Sequence, residues 1–260
     1  MRIGVQLPEV ERVVPWPEYA AMARAAEAVG FDSIWVGDHL LYADPPRGPW
    51  EAWTTMSALA AITERVTIGP LVACLAFHPP AVLAKMAATI AEVSDGRFVL
   101  GVGAGWNDVE FAAFGIPYGK RVERFTDAFT VVKRMLDGDP ALQPPPRRVP
   151  LMLGSNGPRM LSIALPYVDA WNTWYTSYGN TAEGFQALHT KLGITGVERS
   201  ACAWVRFDGS TERDATVAPI ESSIPARIDE LGDSGADEVI IVVSPITESS
   251  IHRLGDELFG

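Results

Sequence analysis

The stretch SDGRFVLGVGAGW, residues 94–106, holds a turn, a short strand and a glycine-rich strand end in immediate succession. Ser94, Asp95 and Gly96 are typical turn residues, and they follow a segment of helical period at residues 79–93. Residues 98–102 are almost continuously apolar, as expected of a strand that is covered on both faces. A helix, a turn and a buried strand in this order predict an α/β protein with a parallel sheet.

The same alternation continues through the chain on both sides of this stretch. Eight short apolar runs occur at residues 3–7, 33–36, 66–75, 98–102, 150–153, 168–173, 203–207 and 239–243. Helical periods are found at residues 19–29, 79–93, 121–136, 158–165, 182–192, 225–233 and 248–258. Eight strands, most of them followed by a helix, favour a closed (β/α)8 TIM barrel over an open sheet. The length of 260 residues is close to the ~250 typical of that fold, so we predict a single domain over residues 1–260.

The amino-acid composition limits the kinds of molecule that the protein is expected to bind. Lys and Arg total 21 and Asp and Glu total 32, which gives a net charge of −11. This balance argues against nucleic acid or an anionic membrane as the main partner. The two cysteines, Cys74 and Cys202, stand in apolar surroundings and are expected to be reduced and buried. Together with the absence of a signal-peptide pattern, they predict a cytoplasmic protein.

In a barrel of this type the chemistry lies at the carboxyl ends of the strands, so polar residues there are candidates for the site. Glu9 follows the first run, and Asp38 and His39 follow the second. A histidine titrates near neutral pH and suits proton transfer, and a carboxylate beside it can tune that proton. We name His39 and Asp38 as the candidate catalytic residues. Because neighbours on a strand point to opposite sides, we expect only one of the two side chains to enter the pocket.

Two glycine-containing segments complete the candidate site. Residues 154–157 are small, and Pro158 and Arg159 follow, a pattern typical of a capped helix start whose backbone N–H groups can hold a phosphate. An ordinary helix cap explains this pattern equally well. The glycines within residues 101–105 permit close approach of either a flat ring or another part of the protein.

Other common site chemistries are not indicated. The four histidines do not form a metal-binding spacing, so we predict no metal site. There is no nucleophile elbow and no cysteine in a polar setting, which argues against a covalent hydrolase.

Several blocks together resemble the bacterial luciferase-like monooxygenase superfamily, on its side of oxidoreductases that use the deazaflavin coenzyme F420. The first block is GFDSIWVGDH at residues 30–39, and the second starts HPPA at residue 78. The most specific block is SDGRF at residues 94–98 with LGVGAGW at residues 100–106, followed by Glu110, FGIP at residues 114–117 and Arg121-x-x-Arg124.

The resemblance implies a barrel that holds F420, or alternatively FMN, at its mouth. It places the ring near Asp38, His39 and a non-proline cis peptide at Leu71–Val72. It places the phosphate of the cofactor at Ser155, Asn156 and Gly157, directly after the fifth predicted strand. The residues that it implies for cofactor binding are Leu71, Val72, Gly103, Ala104, Gly105, Trp106, Ser155, Asn156, Gly157, Arg159 and Arg124.

Three functions follow as hypotheses. The first is hydride transfer between F420 and a small organic substrate, with a homodimer as a further expectation. The second is an FMN-dependent monooxygenase that works with a separate reductase, and the third is a barrel that binds a cofactor without turnover. Positive side chains near the predicted mouth would suit the charged tail of F420 and favour the first hypothesis: Arg47, Lys120, Arg121, Arg124 and Arg159.

Overall fold

A computed structural model describes residues 1–42, 46–210 and 216–260. Over these residues the strands are β1 (Arg2–Gln6), β2 (Ser33–Val36), β3 (Thr67–Pro70), β4 (Ala73–Cys74), β5 (Leu100–Gly103), β6 (Leu151–Gly154), β7 (Ala170–Thr173), β8 (Glu198–Arg206) and β9 (Glu238–Ser244). The helices are α1 (Trp16–Val29), α2 (Ala52–Ile62), α3 (Pro80–Val93), α4 (Asp108–Ala113), α5 (Arg121–Leu136), α6 (Pro158–Ala164), α7 (Ala182–Leu192), α8 (Ile224–Asp233) and α9 (Glu248–Phe259).

The strands form one parallel sheet in the order β3-β2-β1-β9-β8-β7-β6-β5-β4. The two ends of this sheet meet, because Ile68 of β3 bridges to Phe98 just before β5. β3 pairs with β2 while β4 pairs with β5, so these two short strands occupy one position in the barrel. The structure is therefore an eight-position parallel α/β barrel, as predicted.

The third apolar run is the main departure from the predicted strands. Residues 66–75 were expected to form one strand, but β3 ends at Pro70 and β4 begins at Ala73. The peptide bond between Leu71 and Val72, in the gap, is cis, as the resemblance implied. The run is thus divided into two strands at the barrel mouth, and Leu71 and Val72 line the cavity described below.

Helices whose apolar residues recur at intervals of three and four were predicted well. α5 covers the predicted residues 121–136, and α1 ends at Gly30, which has the left-handed φ of 114° expected of a C-cap. α2 was missed because its sequence, AWTTMSALAAI, is apolar on most sides and shows no clear period. α4 was missed because it has only six residues.

The apolar residues separate into two clusters according to the face of the strand. The larger cluster joins the outer strand faces to the helices and includes Ile34 and Met22. The smaller one contains Trp35, Met152 and Ile240 from three different strands and fills the barrel interior. Adjacent residues of β2, Ile34 and Trp35, thus serve different clusters, as expected of a strand covered on both sides.

None of the helices in the described part of the chain combines the length and apolar character needed to cross a bilayer. Cys74 and Cys202 are both free and buried, as the sequence predicted.

Candidate active site

A cavity of about 600 Å³ opens at the carboxyl ends of the strands. It is lined by residues from β1, β4, β5, β6 and β7 and from the loops that follow β1, β2, β3, β5, β6 and β7. The predicted site residues among them are Asp38, His39, Leu71, Val72, Gly103, Ala104, Gly105, Trp106, Ser155 and Asn156. The barrel thus brings together side chains that lie more than a hundred residues apart in the sequence.

His39 is held at the cavity wall by Glu110, a fully buried residue of α4. Nδ1 of His39 lies 3.1 Å from each carboxylate oxygen of Glu110. Glu110 also accepts a hydrogen bond from the backbone N–H of Leu40 at 2.9 Å, which fixes the carboxylate against the loop after β2. Because a carboxylate can only accept here, Nδ1 carries the hydrogen, and Nε2 of a neutral His39 is free to accept a proton.

A second carboxylate approaches the other ring nitrogen of His39. Oε1 of Glu9 lies 3.8 Å from Nε2 of His39, and Gln6 donates to the other Glu9 oxygen at 3.3 Å. Burial is the largest influence on Glu9 and raises its pKa to about 7. Burial lowers the pKa of His39, but the hydrogen bond to Glu110 and the charges of Glu9, Glu110 and Asp38 outweigh it, so the pKa is raised. Glu9 and His39 are therefore two groups poised to exchange a proton near neutral pH.

Asp38 is also buried, and one of its oxygens accepts the backbone N–H of Cys74 at 2.9 Å. Burial raises the pKa of Asp38 to about 7, although the hydrogen bond from Cys74 acts in the opposite direction. Both Asp38 and His39 line the cavity, so the expectation that only one would enter it is wrong. The reason is that β2 ends at Val36, and the alternation of a strand does not extend to residues 38 and 39.

Aromatic rings form the outer wall beside His39. The Trp106 ring meets His39 edge-on with centroids 5.5 Å apart, and the Tyr42 ring lies 4.8 Å from the imidazole. Trp106 is 63% exposed. This wall offers an apolar contact surface at the cavity entrance.

The glycines at the end of β5 lie against other atoms of the protein, so a larger side chain there would clash with its neighbours. A Cβ on Gly103 would lie 2.8 Å from Cγ2 of Val72, and a Cβ on Gly154 would lie equally close to both Val72 methyl groups. At Gly105 the neighbours are Cys74 and Phe111, and its φ is +73°. The glycines thus let the bend at residues 71–72 pack against β5 and β6, while the backbone of Gly103 and Gly105 still lines the cavity.

The end of β6 has the local structure that the sequence predicted. α6 begins at Pro158 with Gly157 as its N-cap, and the Ser155 hydroxyl accepts the N–H of Gly157 at 3.3 Å. Asn156 donates to the Thr173 hydroxyl at 2.9 Å, and its side-chain oxygen is buried without a hydrogen-bond partner among the described residues. The phosphate-binding role of these residues stays a prediction.

The predicted positive residues lie outside this cavity. Arg124 donates to the backbone carbonyl of Pro117, and Arg159 is exposed on α6. Arg121 stacks on the Tyr118 ring, with its Cζ 4.0 Å from the ring centroid, and Tyr118 donates to the carbonyl of Trp106 at 2.9 Å. Of these three arginines, Arg121 is thus the one tied to the cavity wall, through Tyr118.

Glu110 is the residue that sequence reasoning missed as part of the site. In the sequence it stands out only as a member of a motif, and its spacing of 71 residues from His39 carries no local signal. The sequence did contain one local sign of its role. Glu110 stands in a short, mostly apolar segment directly after the glycine-rich strand end.

Comparison with known proteins assigns the family. The profile of the luciferase-like monooxygenase family matches residues 1–191. The chain belongs to this family. Among sequence relatives, a 5,10-methylenetetrahydromethanopterin reductase of Archaeoglobus fulgidus is 28% identical over 178 residues, which is 63% of this chain and 50% of the relative. An F420-dependent glucose-6-phosphate dehydrogenase of Amycolatopsis mediterranei is 43% identical over 112 residues, 42% of this chain and 32% of the relative.

These matches span half or less of the length of those curated relatives. Solved structures agree with the fold over nearly the whole chain. An F420-dependent secondary alcohol dehydrogenase superimposes with a TM-score of 0.77 at 20% identity, covering 99% of this luciferase-like chain and 98% of the other. The monooxygenase RslO1 from Streptomyces bottropensis superimposes with a TM-score of 0.75 at 17% identity, covering 100% and 99%.

Proposed function

We propose that this luciferase-like barrel is an F420-dependent oxidoreductase that interconverts an alcohol and a carbonyl group on a small organic substrate. The observation that carries the proposal is the placement of His39 between Glu110 and Glu9 on the cavity wall. This arrangement supplies and removes a proton at one defined atom, Nε2 of His39. A sequence relative named as an F420-dependent glucose-6-phosphate dehydrogenase supports the choice of cofactor.

The lining of the cavity fits a deazaflavin ring. Side-chain oxygens of Gln6, Glu9 and Asn156 are buried without a hydrogen-bond partner among the described residues, and all three residues line the cavity. A ring system that carries N–H and hydroxyl donors can satisfy such acceptors. Leu71, Val72 and Gly103 line the part of the cavity proposed for the ring, and the Ser155 hydroxyl and the backbone N–H of Asn156 are the proposed partners of the phosphate.

The bound cofactor supplies the hydride acceptor or donor. The residues of the protein handle the proton. For alcohol oxidation, neutral His39 accepts the hydroxyl proton at Nε2 while the carbon loses its hydride, so a carbonyl forms. Glu110 keeps the ring oriented through Nδ1 and stabilises the resulting imidazolium. Glu9, close to Nε2, shares the proton and relays it away, and the reverse sequence serves carbonyl reduction.

His39→Ala tests the catalytic part of this proposal. Loss of a positioned acid–base group should lower turnover by ~10²-fold or more, and chemical denaturation checks that the variant is folded, since the buried Glu110 carboxylate loses its imidazole partner. Unchanged turnover in a folded His39→Ala protein would contradict the assignment.

The cofactor is tested by fluorescence titration of the ligand-free protein with F420 and with FMN, each at two salt concentrations. We expect F420 to bind more tightly, and we expect its affinity to fall with salt, since exposed charges are screened. The same titration tests the FMN-dependent alternative. Micromolar FMN binding without F420 binding, together with oxygen-dependent loss of reduced-flavin absorbance in stopped flow, would favour that alternative. Binding without turnover on a broad panel of alcohols and carbonyls would favour a non-catalytic barrel.

A further inference from the structure

Three potential metal ligands converge beside the cavity from separate loops. Asp38 follows β2, Glu51 is the N-cap residue of α2, and His78 precedes α3. One ligand atom from each lies within 4.8 Å of the other two. We propose that Asp38, Glu51 and His78 form a binding site for a divalent transition-metal ion, with Zn²⁺ as the best match.

His78 is available for such a role. No described residue hydrogen-bonds to its imidazole, which packs edge-on against Trp53 with centroids 5.8 Å apart. An imidazole that is packed against one ring and has no hydrogen-bond partner among the described residues is available to bind a metal ion.

The two carboxylates are positioned by backbone N–H groups and keep lone pairs free. Asp38 uses one oxygen to accept the N–H of Cys74, and no described donor reaches its other oxygen. Glu51 accepts the N–H groups of Trp53 at 2.9 Å and Thr54 at 2.7 Å, which fixes its carboxylate at the start of α2. Such hydrogen bonds behind the ligands are the usual means of orienting a metal site.

The donor set points to a transition metal. One imidazole nitrogen and two carboxylate oxygens suit Zn²⁺, whereas Mg²⁺ and Ca²⁺ prefer oxygen ligands alone. Tetrahedral Zn²⁺ with metal–ligand bonds of ~2.0–2.2 Å holds its ligand atoms roughly 3.4 Å apart, so side-chain rotations must bring these atoms, now within 4.8 Å of one another, closer together. Two carboxylates and a neutral histidine also balance the charge of a divalent cation.

Access to the site exists from two sides. Glu51 is exposed to solvent, which provides an entry path, and Asp38 lines the cavity, which leaves room for a fourth ligand such as water. The site shares Asp38 with the cavity, but metal binding at these three residues does not require the proposed hydride transfer. The sequence predicted no metal site because the histidines do not have the spacing of a metal-binding motif. That argument does not cover Asp38, Glu51 and His78, which are separated in the sequence and come together only in the folded barrel.

Isothermal titration of the chelator-treated, untagged protein with Zn²⁺ alone tests the proposal. We expect one strong site per chain, and we expect His78→Ala and Glu51→Gln each to weaken its affinity by at least ~10-fold. His252→Ala is the matched control, since His252 is a half-exposed surface histidine 3.9 Å from Glu248, and its affinity should equal that of the wild type. Absence of a strong site in the wild type would overturn the proposal.

The Cys74 thiol is the competing ligand to exclude, because the backbone N–H of Cys74 donates to Asp38. Cys74→Ser should retain the Zn²⁺ affinity if the three proposed residues hold the ion. Loss of binding in Cys74→Ser but not in His78→Ala would overturn the assignment. If a variant is unfolded by circular dichroism, zinc-edge anomalous scattering from wild-type crystals decides instead: a peak between Asp38, Glu51 and His78 supports the site, and a peak elsewhere refutes it.

Discussion

Both carboxylate oxygens of Glu110 lie 3.1 Å from Nδ1 of His39. The contact joins a buried residue of α4 to the loop after β2, and it decides both the tautomer and the orientation of the imidazole. The same carboxylate accepts the N–H of Leu40, so a change in Glu110 acts on the loop as well as on the ring. Glu110 is therefore a positioning residue for His39 in the proposed reaction.

Glu110→Gln keeps the size of this side chain and removes its charge. Because the Glu110 carboxylate contributes to the raised pKa of His39, we expect the substitution to lower that pKa. The acidic limb of the pH profile, where His39 becomes protonated, should therefore move to lower pH. Because the ring is also less firmly oriented, kcat/KM at neutral pH should fall by ~10–100-fold. NMR titration of the His39 ring and the pH profile of kcat/KM measure the two effects. Glu123→Gln is the control, since the exposed Glu123 pairs with Lys120 at the start of α5 and has no other ionic partner among the described residues; a His39 pKa that is equal in both variants would contradict the role of Glu110.

Trp106→Ala tests the aromatic wall. The Trp106 side chain is 63% exposed, so its removal should hardly change the free energy of unfolding. It contacts His39 and Tyr42 at the cavity entrance, and its loss should weaken binding of F420 by ~10-fold, equivalent to ~1.4 kcal/mol. Fluorescence titration and chemical denaturation provide both readouts. Phe114→Ala removes a ring of similar exposure that does not line the cavity, and it should leave the affinity unchanged.

Glu238 is buried at the opposite, amino-terminal end of the barrel. Burial raises its pKa, although the Ser33 hydroxyl, which donates to it at 2.6 Å, and Arg2 act in the opposite direction. A carboxyl group with a raised pKa binds its proton more tightly in the folded chain than in the unfolded one. Its contribution to stability is therefore present at low pH and is lost as the pH rises through the folded-state pKa.

Glu238→Gln should remove the loss of stability that accompanies ionisation of Glu238 at higher pH, because the neutral amide resembles the protonated acid. We expect the free energy of unfolding of the variant, relative to the wild type, to be larger at pH 8 than at pH 4.5. Urea denaturation at the two pH values measures the difference. Glu198→Gln, at an exposed glutamate that pairs with Arg2, serves as the control and should show a smaller pH dependence.

The sequence predicted the architecture well because the barrel follows from local patterns. The helix at Arg121–Leu136 was found from its apolar spacing, and the buried strands were found from their continuous apolar runs. The bend between β3 and β4 could not be read from an apolar run, and its position came from the family resemblance alone. Neither periodicity nor composition records where a strand changes its partner.

The site was predicted less completely, since it depends on contacts between distant segments. His39 and Asp38 were found because they follow a strand. The contact of Glu110 with His39, the approach of Glu9 and the convergence of Glu51 and His78 on Asp38 arise only when the barrel closes. Side-chain direction is equally a tertiary property, as the placement of Arg124 away from the cavity shows.

Gly103→Ala tests whether the glycines at the strand ends are required by Val72. A Cβ at residue 103 would lie 2.8 Å from Cγ2 of Val72, closer than such atoms can approach, so Val72 must shift. Val72 is confined on its other side by Gly154, where a Cβ would also lie at 2.8 Å. Overpacking of this kind typically costs ~1–3 kcal/mol, and the shift would displace the floor of the cavity and weaken cofactor binding.

Val72→Ala in the same chain removes the clashing methyl groups and should recover most of the stability that Gly103→Ala loses. The two changes should therefore be non-additive in a double-mutant cycle measured by chemical denaturation. Gly119→Ala is the control for the general effect of adding a methyl group, since a Cβ there would have no neighbour within 4 Å and no unusual φ is needed. Equal stability of Gly103→Ala and Gly119→Ala, or strict additivity of Gly103→Ala with Val72→Ala, would show that the glycine does not serve to accommodate Val72.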